Sequence, residues 1–97
     1  MTDNLTDAKS IHLVITFDAL SEPNRLRIFR ALLESGASSV GSVARRTGMS
    51  DALTSQHLRT LHNANLVSRE KQGKHVYYRV NTYNPIINAI EATMLVA

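Results

Sequence analysis

The spacing of apolar residues changes once, sharply, after Asn65, and that switch restricts the chain to few architectures. Before it, apolar positions recur every three or four residues, the interval of helices. From Leu66 they alternate. The stretches Leu66-Val67-Ser68-Arg69-Glu70-Lys71 and Lys74-His75-Val76-Tyr77-Tyr78-Arg79-Val80 predict two strands around a turn at Gln72-Gly73. Val76, Tyr78 and Val80 then share one face; His75, Tyr77 and Arg79 share the other. Helical spacing returns after Pro85, through Ile86, Ile87, Ile90, Met94 and Leu95. The predicted class is mainly α with one β-hairpin, ordered helix-helix-helix-helix-strand-strand-helix. It forms a single domain over residues 1–97.

Stop and start signals divide the helical part. A first helix is predicted from Leu5 to Leu20, with apolar rows through Leu5, Ala8, Ile11 and Ile15 and through Val14, Phe17 and Leu20. That is more apolar surface than one face of a lone helix needs. Ser21-Glu22-Pro23 ends it and opens the second helix, because proline in a first turn gives up no hydrogen bond. Leu26, Phe29, Leu32 and Leu33 form the second helix's buried stripe, and Gly36 its stop. Ser38 or Ser39 caps a short third helix through Val40, Val43 and Ala44, which Gly48 ends; Ser50 caps a fourth.

Composition excludes several functions. The chain has no cysteine, so disulfides, thiol switching and thiolate metal sites are ruled out together. No apolar run reaches the ~20 residues of a membrane-spanning helix. The start MTDNLTDAKS lacks the basic-then-apolar layout of a signal peptide, which leads to a cytoplasmic expectation. No nucleophile–base spacing, carboxylate pair or phosphate-cradling glycine loop is present, so the expected protein is not an enzyme and carries no cofactor. The net charge of +3 is unevenly placed: −1 over residues 1–44, +5 over 45–80 and −1 over 81–97. A basic middle of this kind suits a polyanion.

Within that middle lies the fourth helix, SDALTSQHLRTL. At about 100° per residue, Ser50, Leu53, Thr54, His57, Leu58, Leu61 and Ala64 fall on one half of the wheel. Ala52, Ser55, Gln56, Arg59 and Asn63 fall on the other. His57 is thereby expected to be packed and hydrogen-bonded, not a ligand. The outer row is short and hydrogen-bonding at its start, with an arginine one turn on. Glutamine pairs bidentately with adenine, serine donates or accepts, and arginine suits guanine or phosphate. Asp51 meets the positive end of the helix dipole, or accepts from a cytosine amino group. Ser50, Asp51, Ala52, Ser55, Gln56 and Arg59 are therefore candidate DNA contacts. Arg69, Lys71, Lys74 and His75 on the hairpin are candidate backbone contacts.

Three motifs carry a resemblance. Leu20-Ser21-Glu22-Pro23-Asn24-Arg25-Leu26-Arg27-Ile28 resembles the L-x-D-P-T-R-L-x-I opening of ArsR-type bacterial repressors. Met49-Ser50 through Leu61 is similar to their S-Q-P-A-V-S-Q-H-L-x-x-L recognition helix. Asn65-Leu66-Val67 with Gly73-Lys74-His75-Val76-Tyr77-Tyr78-Arg79-Val80 resembles their wing. The resemblance implies a winged helix-turn-helix, a homodimer built from the first and last helices, and repression by binding double-stranded operator DNA. Asp51 replaces the usual glutamine, and Leu53 and Thr54 stand where a small and an aliphatic residue are common. The family's third-helix C-x-C metal pair falls on Ser39 and Gly41, and the Asp-x-His pair of its zinc sensors on Thr82 and Asn84. No metal site is expected. The effector stays open among a small molecule at the dimer interface, a protein partner, and none. Two competing functions are a winged helix that binds protein and a non-specific DNA-binding protein.

Overall fold

The computed structural model describes residues 7–96, with the side chains of residues 95 and 96 left undescribed. The helices are α1 (Ala8–Ser21), α2 (Pro23–Ser35), α3 (Val40–Thr47), α4 (Asp51–Asn63) and α5 (Ile86–Val96). The strands are β1 (Ser38–Ser39), β2 (Val67–Gln72) and β3 (His75–Val80). Leu5, expected to begin the first helix, lies outside the described residues. Asp7 caps α1, its carboxylate accepting the Ser10 N–H at 2.8 Å.

Each expected helix boundary carries its device. Glu22 accepts the Arg25 N–H at 2.9 Å and caps α2, with Pro23 in the first turn. Gly36 and Gly48 take positive φ angles of 74° and 71° to end α2 and α3. Ser39, of the two serines considered, caps α3 by accepting from Ser42, and Ser50 caps α4 by accepting from Leu53. Asn65, at φ 63°, ends α4 in a Schellman motif: its N–H donates to the His62 carbonyl, and that of Leu66 to the Leu61 carbonyl.

Two differences from the sequence expectation concern the sheet. It has three strands in the order β1-β3-β2, because Ser38 and Ser39 pair antiparallel with Tyr78 and Tyr77. Two residues have no period to read. The hairpin turn lies one residue later than expected, at Gly73-Lys74, since Gln72 still pairs with His75. Gly73 at φ 62° fills the first central position, where a two-residue II′ turn requires glycine.

One core joins these layers. Ile28, Phe29 and Leu32 of α2, Val43 of α3 and Leu58 and Leu61 of α4 meet Leu66 in the bend before β2, Val67, Tyr78 and Val80 of the sheet, and Ile87 of α5. Leu58 and Leu61 are wholly buried; truncating either to alanine would cost about 2–5 kcal/mol. This anchorage fixes which side of α4 faces out. By contrast α1 keeps Ile11, Leu13, Val14, Ile15 and Phe17 exposed, Phe17 by 60%.

Candidate nucleic-acid interface

The turn between α3 and α4 is held from below. Arg27 of α2 donates to the Thr47 carbonyl at 2.5 Å, and the Thr47 hydroxyl donates to the Val43 carbonyl at 2.7 Å. The Gly48 N–H closes onto the Ala44 carbonyl. Two helices joined by a short glycine-bearing turn on a rigid base form a helix-turn-helix, whose second helix presents its N-terminal residues.

On α4, Thr54, Leu58 and Leu61 are buried, while Ala52, Gln56, Arg59 and Asn63 are exposed. Ser55 is half-buried at the edge of that row. Arg59 has no acidic partner among the described residues, and Gln56 no side-chain hydrogen bond. Ser50 is exposed, although its oxygen is engaged as the cap, and Asp51 is exposed in the first turn. Leu53 departs from the expected inner placement. It is 37% exposed and lies outside the core cluster and the partly buried residues packed on it.

His57 takes the inner position expected of it, with 13% of its side chain exposed, and its Nε2 lies 3.7 Å from a Glu22 carboxylate oxygen. Burial alone would raise the Glu22 pKa. The N–H groups of Arg25 and Asn24, with the charges of His57 and Arg25, outweigh it and hold the carboxyl below its ordinary range. His57 of α4 thus lies beside the carboxylate that caps α2, at the α1–α2 junction.

The hairpin register divides the wing residues. Arg69 faces Tyr78 and Lys71 faces Val76, so both lie on the sheet face that carries the core residues. His75 lies on the opposite face with Tyr77, their rings 6.4 Å apart. Lys74 occupies the turn. On that opposite face Arg79 is bound to Glu70 at 2.7 Å, which removes it from the free cations. Arg45, passed over in the sequence, is exposed at the end of α3 with its guanidinium beside Gly41 and no acidic partner among the described residues.

The sequence profile described as "Bacterial regulatory protein, arsR family" matches residues 22–69, from the cap of α2 into the wing. The HTH-type transcriptional regulator YgaV of Escherichia coli is 36% identical over 76 residues, covering 78% of this chain and 75% of its own. The chain belongs to the ArsR family. The transcriptional repressor SdpR of Bacillus subtilis is 35% identical over 66 residues, 68% of this chain and 72% of its own. Among solved structures, the homodimeric winged helix-turn-helix DNA-binding domain from Mycobacterium bovis superposes with a TM-score of 0.83. It is 25% identical and covers 99% of this chain and 86% of that one.

The family's fold and its place among transcriptional regulators hold for this chain; its metal ligands do not. Ser39 is spent on capping α3, Gly41 has no side chain, and the Asn84 amide is bonded to Asn65 and Ile86. Among the described residues no group of three or more His, Asp or Glu side chains is placed to hold a metal ion. Nor is any described helix long and apolar enough to cross a membrane.

Proposed function

We propose that this ArsR-family chain acts as one winged helix-turn-helix domain, a homodimeric repressor that binds a pseudo-palindromic operator in double-stranded DNA in the cytoplasm. The observation that carries this is the outer row of α4. Ala52, Gln56 and Arg59 stand exposed, the Gln56 and Arg59 side chains without a partner among the described residues, on a helix whose other side is locked into the core. Gln56 and Arg59 would contact base edges, with Ser50, Ala52 and Ser55 allowing close approach and Asp51 set at the positive helix end. Arg69, Lys71 and Lys74 on the wing, with Arg45, would meet phosphates; His75 would touch the backbone only from the far side of the hairpin.

The dimer is supported by surface that one copy leaves uncovered. Ile11, Val14, Ile15 and Phe17 of α1 are exposed, and an open apolar groove of about 490 Å³ runs between α1, α2 and α5 past Phe17, Leu26, Ile90 and Met94. A second copy related by a two-fold axis would bury it and set two α4 helices about 34–36 Å apart. The test is a mobility shift on the chain's own upstream DNA with unrelated duplex as competitor, alongside sedimentation. The expected result is specific retention by a dimer, lost in a folded, monomeric Phe17→Glu variant. Retention that unrelated DNA competes away equally would refute sequence-specific binding.

A further inference from the structure

The structure assigns a base-reading role to Leu53, namely van der Waals contact with the C5-methyl group of a thymine in each operator half-site. This rests on the reading of α4 as the groove-entering helix.

Leu53 is the one large exposed apolar side chain on α4 among the described residues. Among the described residues the large exposed ones are five on α1, Leu26 beside the α1–α5 groove, Tyr83 in the loop before α5, and Leu53. The first six belong to the surface that a second copy would cover. Leu53 does not, because its exposed neighbours are Ser50, Asp51, Ala52 and Gln56. Its main chain is fixed, the N–H donating to the Ser50 oxygen at 3.1 Å. Its side chain, 37% exposed, projects from the first turn about 60° round the helix from Gln56 and one turn before it.

N-terminal residues of a recognition helix meet base edges. The one apolar group on the floor of the major groove is the thymine methyl; the other edge atoms are hydrogen-bond donors and acceptors. A leucine there either matches a methyl or strips water from polar atoms without replacing it. The match must fall on a step beside the pair contacted by Gln56, because the two side chains are three residues apart on one helix.

The experiment starts from operators selected out of random duplex by the full chain, followed by a scan replacing each thymine with deoxyuridine, which removes only the methyl. The wild type should lose about threefold to tenfold in affinity at one thymine per half-site, the worth of roughly one buried methyl. Leu53→Ala should bind the thymine operator more weakly and no longer distinguish it from the uracil one at that position. Circular dichroism should show Leu53→Ala folded, since the side chain lies outside the core. Equal uracil scans for the two proteins would overturn the assignment while leaving the role of α4 intact. Selection of no sequence at all would overturn both.

Discussion

The side-chain amide of Asn84 donates to the main-chain carbonyl of Asn65 at 2.9 Å, joining the end of α4 to the start of α5. Asn81 donates to the same carbonyl at 3.1 Å, and the Asn84 oxygen accepts the Ile86 N–H at 3.2 Å. The end of α4 and the start of α5 therefore share one small polar junction. Asn84 is 4% exposed, so removing its amide leaves polar groups with little access to water. Asn84→Ala should lower unfolding free energy by about 1–3 kcal/mol. Asn65→Gly should be tolerated, because the position needs a left-handed backbone; Asn65→Val should cost about 1–2 kcal/mol. Urea midpoints of the three variants check the set.

The Thr54 hydroxyl is buried without a hydrogen-bond partner among the described residues, at a site where the family commonly carries an aliphatic side chain. Thr54→Val keeps the shape and removes the orphan group. It should stabilise the fold by about 1–3 kcal/mol, with the DNA sequence preference unchanged. A loss of stability would mean the hydroxyl is satisfied after all.

Glu22 gives the fold an acid limb. Its carboxyl titrates below its ordinary 4.5, so the folded state takes up its proton at lower pH than the unfolded chain does. Its contribution is complete above the unfolded value and is lost as pH falls through the folded one. Urea unfolding of Glu22→Gln from about pH 7 to about pH 3 should show a shallower decline below about 4.5 than the wild type. Parallel declines would remove Glu22 from the account.

Wing charges should separate by their partners. Single alanine variants of Arg69, Lys71 and Lys74 should each weaken binding to all sequences and reduce the salt slope by about one. Arg79→Ala should leave the slope nearly unchanged, because its guanidinium already serves Glu70 at 2.7 Å. Titrations across a salt series make the comparison.

Local chemistry was legible before any coordinates. Gly36 and Gly48 announced the helix stops, Ser50 the cap, and the change of period after Asn65 the hairpin. What escaped depended on contacts distant in sequence. Ser38-Ser39 becomes a strand only because Tyr77 and Tyr78 lie beside it. The Glu70–Arg79 pair exists only in the observed register, and the Glu22 partner of His57 comes from another helix. Leu53 was misplaced for a geometric reason. A helical wheel assigns halves, but how far a residue near the boundary is covered depends on the neighbouring elements, and Leu53 stays 37% exposed.

The central claim is that the outer row of α4 reads base edges. The most direct measurement is operator selection from random duplex with wild type, Gln56→Ala and Arg59→Ala in parallel. The wild type should select two half-sites related by a dyad. Each variant should lose about 1–3 kcal/mol and its preference at one symmetric pair of positions, the rest of the site being retained. Identical selected sequences from all three proteins would contradict the account.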